Sequence, residues 1–301
     1  MKQRQISEKM LNAFLSGKLS SLLEAVKKDD TLDLELRGSS ANIYYRGGSI
    51  FKITEKANNY TIFFDRKYCV DSPEMYLSET PSIEEAVDRL PFYKQAMDWY
   101  FHKHPKHERE FQQLIVRENN AHDKISKSTD YYIVDIEFAD NDARFDMIAL
   151  KWPSTSAARK DVAHNITLAL IEVKYGDDSL DGSSGIQKHL KDFQRFLAPQ
   201  NEAILNEFCK DMSQVFLQKC KLGLVAGLNE KQYNVTISPQ GLEVIFIFAN
   251  HDPEKQALSN NLEKINPDDY DFPIMIAKSS NMGYGLYFEC LQKLSSSAQL
   301  K

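Results

Sequence analysis

Residues 143–152 read ARFDMIALKW and residues 167–176 read TLALIEVKYG, and the way these two runs are taken together decides the reading of the whole chain. Both are dense in aliphatic and β-branched side chains, the composition of a strand. Side chains two apart in a strand leave on the same face, so Glu172 and Lys174 project together while Ile171 and Val173 enter the other side. Asp146 stands between Phe145 and Met147 in the earlier run. If the two runs pair antiparallel, Asp146 lies beside Glu172. LALIEV reads as a strand buried on both faces, where an acid and a lysine are costly to keep without a partner.

Working outward, YYIVDIEFA at 131–139 is a third strand, and HEREFQQLIVREN at 107–119 a preceding helix. The polar stretch PSTSAARKDVAHN, residues 153–165, separates the second and third strands. The loop GDDSLDGSSG then leads into IQKHLKDFQRFL, an amphipathic helix with Ile186, Leu190, Phe193 and Leu197 on one face. The order is helix, three strands, helix. Beyond it, residues 204–224 predict a helix, LEVIFIFAN a buried strand, QALSNNLEKI a short helix, and FPIMIAKS and YGLYFEC two more strands.

Toward the N-terminus, residues 6–28 predict two short helices separated near SGKLSS. Residues 31–70 hold four β-type runs divided by GSS, RGG and KANN, which predicts a small antiparallel meander. DSPEMYLSETPS, at 71–82, reads as a linker. SIEEAVDRL, FYKQAMDWYFHKH and KHEREFQQLIVREN are helical, two helices or one kinked, with Pro105 permitting a fresh start. The expected organisation is a helical and meander region over 1–75, suited to recognition, and a second domain over 83–301 with its core at 106–197.

The chain has 301 residues, a net charge of −6, and hydrophobic, charged and aromatic fractions of 42%, 27% and 11%, which are ordinary for a folded globular protein. The net charge provides no general attraction to a polyanion, so only a local basic face could meet phosphate. No apolar run is long enough for a membrane span, and the charged N-terminus does not read as a signal peptide. The expectation is a cytoplasmic protein with no membrane partner. Cys69, Cys209, Cys220 and Cys290 are too scattered for a zinc site and read as reduced thiols.

Two converging carboxylates supply the hard oxygen ligands that magnesium or manganese prefers. A lysine alongside adds a compact positive charge able to orient an attacking water. A second acid-x-Lys copy, Asp65-Arg66-Lys67, serves as an internal control, because it lacks the preceding acid-bearing strand and the following helix. The competing reading of Glu172 and Lys174 is a cross-strand ion pair on a solvated face, stabilising by under about 1 kcal/mol.

The series HEREFQQLIVREN, RFDMIAL, IEVK and GIQKHLKDF resembles the core of the PD-(D/E)XK nuclease superfamily, over about a third of the chain. The resemblance implies a restriction-endonuclease-like mixed sheet flanked by helices, in an α/β protein. It also implies hydrolysis of phosphodiester bonds, in DNA, dependent on Mg²⁺ or Mn²⁺, in restriction, repair or phage defence. Asp146 and Glu172 would hold the metal and Lys174 would assist the water. An acid on the first helix is Glu108 or Glu110, since helical spacing serves both and Glu108 is preferred. Gln187 occupies the place of a glutamine common in the family. The proline that often precedes the aspartate is replaced by Phe145. The alternative is a catalytically inactive protein of the same fold, acting as a nucleic-acid-binding or assembly module. A homodimer and a further partner protein are both compatible with the sequence.

Two secondary features complete the reading. Asp135 and Glu137 in IVDIEF share a strand face and are either an extra ligand or a polar outer surface. Arg37, Arg46, Lys52 and Arg66 among the aromatics of the meander form either a nucleic-acid surface or an aromatic core with solvated charges.

Overall fold

A computed structural model describes residues 2–57, 59–71, 76–120, 128–140, 143–160 and 166–295. The protein is mixed α/β, with a four-stranded antiparallel sheet and a six-stranded mixed sheet flanked by helices. Parts of the expected linker (72–75) and of the polar stretch (161–165) lie outside the described residues.

The chain opens with α1 (Glu8–Ser16) and α2 (Ser20–Lys28). Ser7 caps α1 by accepting from the Met10 N–H, and Gly17 ends it. The meander follows as β1 (Leu32–Leu36), β2 (Ser40–Tyr45), β3 (Gly48–Glu55) and β4 (Tyr60–Phe63), paired in that order. Arg46 and Gly47 form the two-residue turn between β2 and β3, with φ of 48° and 71°. Positive φ at both positions matches the twist of a tight hairpin.

Three helices come next, α3 (Ile83–Asp88), α4 (Leu90–Lys103) and α5 (His107–Asn120). The sequence predicts two or one. The extra break falls at Arg89, next to Pro91, which starts α4 within its first turn.

The larger sheet is built from β5 (Tyr131–Asp140), β6 (Ala143–Lys151) and β7 (Thr167–Tyr175), all antiparallel, with the short α6 (Ser156–Lys160) between β6 and β7. Two helices, α7 (Ile186–Phe196) and α8 (Glu202–Lys221), precede β8 (Glu243–Ala249), which pairs parallel with β7. The chain continues through α9 (Ala257–Glu263), β9 (Ile274–Lys278), α10 (Ser279–Met282) and β10 (Gln292–Lys293). Strand order is β10-β9-β8-β7-β6-β5, which leaves β7 inside the sheet with every residue from Leu168 to Lys174 buried.

Residues 284–290 do not form the expected strand; a 3-10 turn at Phe288–Cys290 and the short β10 stand there. Distant side chains take the backbone donors of this segment: Asn119 Oδ1 accepts from Leu286 N at 2.9 Å and Asp130 Oδ2 from Phe288 N at 2.9 Å. Those two N–H groups are thereby withdrawn from a ladder.

One buried cluster runs from Ile6 on the N-terminal side, through Phe51 and Phe64 of the meander, to Phe193 and Phe246 beneath the large sheet. A second, between α5 and the opposite sheet face, holds Phe111, Ile115, Ile171 and Val173. Polar bonds join the two sheets as well. Asp135 is fully buried and accepts from Arg4 Nε at 2.6 Å and from Arg37 Nη1 at 2.5 Å. Asp135 is thus an internal anchor, neither on a polar outer face nor among the residues that line the site described next.

The meander holds an aromatic core. Phe51, Phe64 and Tyr93 pack edge to face with ring centroids under 6.5 Å apart. Arg37 is spent on Asp135, and Arg46 on Asp98 and Glu110, each at 3.0 Å. Among the described residues no helix is long and apolar enough to cross a membrane.

Candidate active site

The last residue pair between β6 and β7 is Met147 with Ile171; beyond it the strands part. The Val173 N–H, facing this gap, donates to Asp146 Oδ2 at 2.8 Å. Asp146 therefore stands in for a missing ladder carbonyl and is held beside β7 by that bond. Glu172 and Lys174 lie on the same strand at 4% and 2% exposure, with Lys174 Nζ 2.7 Å from Glu172 Oε1. That degree of burial excludes the solvated cross-strand pair.

Lys174 also donates to the Ser184 carbonyl at 2.6 Å, just ahead of the first turn of α7. The helix is fixed from the other side by an aromatic stack: Phe145 lies parallel to Phe193 with centroids 5.1 Å apart and to Phe138 at 5.6 Å. His189 is one turn before Phe193 on the same helix face. Its Nε2 comes 3.0 Å from Glu172 Oε1. Burial, then the charge of Lys174, push the His189 imidazole down to about 4, so it is neutral at physiological pH. The Glu172 contact occupies Nε2, while Nδ1 is shielded from solvent on the other side of the ring.

The structure separates the two helix acids that spacing left open. Glu108 joins Asp146, Glu172, Lys174, Gln112 and His189 around one recess of about 490 Å³. Glu110, two residues on, points to Arg46. Gln187 is exposed on α7 and is not among the residues lining this recess. Two residues along a helix are about 200° apart, so a helix that presents His189 inward turns Gln187 away. His189 and Gln112 are the residues that the sequence reading missed. Each does carry a signal, since His189 borders the apolar stripe of Ile186 and Phe193, and Gln112 follows Glu108 by one turn.

Charge in the recess is unbalanced. Burial raises Asp146 to about 6, with the Glu108 charge adding to the rise and the Val173 N–H and Lys174 opposing it. Glu172 is pushed well above the carboxylate range by burial and then by Asp146, against the pull of Lys174. Burial raises Glu108 too, opposed by Lys174 and Arg109. Three acids thus share one buried ammonium. Arg109 and Arg144 line the mouth.

Among the described residues no group of three or more His, Cys, Asp or Glu side chains forms a ready metal cage. Magnesium does not require one, because it commonly takes one or two carboxylates and fills its remaining positions with water and phosphate oxygens. The donor set of Asp146 and Glu172, hard oxygens with surplus negative charge, fits such an ion. The control copy at Asp65 behaves differently: Asp65 caps a 3-10 turn through Lys67 N and pairs with Lys67 at the surface. In comparisons with known proteins, no family model, curated protein or solved structure matches the chain.

Proposed function

We propose that the chain is a divalent-metal-dependent nuclease of the PD-(D/E)XK type, with a restriction-endonuclease-like core in residues 83–301. The observation that carries this reading is the capping of Val173 N by Asp146 beside the buried Glu172–Lys174 pair, in a recess that Glu108 also enters. Asp146 and Glu172 are the residues that would hold Mg²⁺ or Mn²⁺. When bound, such an ion lowers the pKa of a coordinated water and offsets charge on phosphate.

The chain's own groups do the rest. Lys174 keeps its ammonium within the recess by bonding Glu172 and the Ser184 carbonyl, which leaves one donor to orient a water or steady a phosphate oxygen. The neutral His189 can take up a proton. Arg144 supplies positive charge where a phosphodiester would enter, beside Arg109, which is paired with Glu137, against the acidic net charge of the whole molecule. Glu110 and Gln187 have no part in this reading. DNA is the proposed substrate, and restriction, repair or phage defence the proposed setting.

The test is cleavage of plasmid and single-stranded DNA with manganese, comparing the wild type with Glu172→Ala and Lys174→Ala. The reading requires cutting by the wild type and its loss in both variants. Equal cutting by all three would refute the assigned site.

A second reading, an inactive nuclease fold that binds nucleic acid or assembles with a partner, is favoured by one observation. Glu172 Oε1 already accepts from Lys174 and lies against His189. Manganese calorimetry separates the two readings, because an inactive site would bind no ion tightly.

A further inference from the structure

A second cavity, of about 400 Å³, lies apart from the candidate active site, between β1, α2, α5 and the end of α8. Volumes of this order suit a small molecule. Asp33 and Glu35, two apart on β1, face it together with Lys219 of α8. Glu35 and Lys219 are each 1% exposed and are joined at 2.7 Å through Glu35 Oε1.

The other carboxylate oxygens are orphaned. Asp33 Oδ2 and Glu35 Oε2 are shielded from solvent and accept no hydrogen bond. Arg37 Nη1 stands 3.8 Å from Glu35 Oε2, too far for a hydrogen bond, and donates to Asp135 and the Leu36 carbonyl. A buried acceptor left unpaired is costly, and more so when charged, so the two orphaned oxygens call for further donors.

The charge count agrees, with two carboxylates facing one ammonium inside the cavity. Burial, then the charge of Glu35, push the Asp33 carboxyl up to about 7, against the opposing pull of Gln113, Lys219 and Arg117. Val26, Val116 and Leu224 contribute apolar wall. Lys27, Asp30 and Arg117 sit exposed at the rim.

We infer that this cavity binds a small organic cation, an ammonium or guanidinium group on an alkyl stem, with its N–H donors on Asp33 Oδ2 and Glu35 Oε2. The valines and Leu224 cover the stem. A divalent metal fits less well, because no group of three or more His, Cys, Asp or Glu side chains forms a cage among the described residues.

Calorimetric titration of the full chain with agmatine and butylamine tests this, with 1-butanol as the neutral control. The inference predicts one saturable site for an amine, none for butanol, and affinity at least about tenfold weaker in Asp33→Asn. Ala226→Phe fills the cavity from its lining without touching the acids and should weaken binding as much, which preserves the test if Asp33→Asn fails to fold. Asp146→Asn should bind the amine as the wild type does, so the outcome is independent of the nuclease reading. Absence of binding, equal binding to wild type and Ala226→Phe, binding of butanol, or manganese saturation lost in Asp33→Asn would each overturn it.

Discussion

Asp146 performs two tasks that conflict. Its carboxylate replaces a strand carbonyl for Val173 N, and it stands as a buried charge beside other acids. Asparagine at this position keeps a side-chain oxygen for the Val173 N–H and removes the charge. The Asp146 carboxyl titrates near 6 in the folded protein, above its ordinary value of 3.8. The folded state therefore binds this proton more tightly than the unfolded chain, and the contribution of Asp146 to stability falls as pH rises from about 4 to about 6, then levels off. Asp146→Asn should accordingly abolish manganese-dependent cleavage while stabilising the fold by roughly 1–3 kcal/mol at pH 7.5, with little gain at pH 4, in urea titrations at both values. Destabilisation at pH 7.5 would mean the carboxylate is already neutralised. The two helix acids divide in the same way. Glu108→Gln should cut cleavage at least about tenfold, whereas Glu110→Gln, which only loosens a half-exposed pair with Arg46, should leave it unchanged and cost under about 1 kcal/mol.

At the level of elements, α7 places its residues by packing. Phe193 stacks on Phe145, Gly185 caps the helix, and the buried stripe then fixes which residues face the recess. His189→Ala should lower the cleavage rate and alter its pH profile, while Gln187→Ala should match the wild type in both; identical profiles for all three would remove His189 from the site. The same packing explains what could be read in advance. The β5, β6 and β7 runs were legible because they are dense in aliphatic and β-branched residues, and α7 because its period of 3.6 reflects burial directly. The choice of Glu108 over Glu110 was not, because it depends on Gly47 and Arg46 from another sheet. Nor was the fate of residues 284–290, whose backbone donors are taken by Asn119 and Asp130 from far along the chain. Gln187 followed from the resemblance and not from the helix face, and the face turns it outward.

Across the whole molecule, the N-terminal region braces the site. The Arg46-Gly47 turn docks on the start of α5: Gly47 N donates to Gln113 Oε1 at 2.7 Å, and a Cβ on Gly47 would come 2.6 Å from the backbone of Arg109. With φ at 71° as well, Gly47→Ala should cost about 1–3 kcal/mol and depress cleavage by displacing Glu108, which thermal unfolding and the plasmid assay would measure together. The Asp135 anchor acts on the same junction, since the next acid, Glu137, has a φ of 49° and reaches both Tyr44 Oη at 3.0 Å and Arg109. The six-stranded sheet and the meander thus act as one support for a recess whose acids outnumber its buried ammonium. The most direct test is a calorimetric titration of manganese into the full chain and into Asp146→Asn and Glu172→Gln. The account predicts one ion per chain in the wild type and none bound tightly by either variant; undiminished binding in both variants would contradict it.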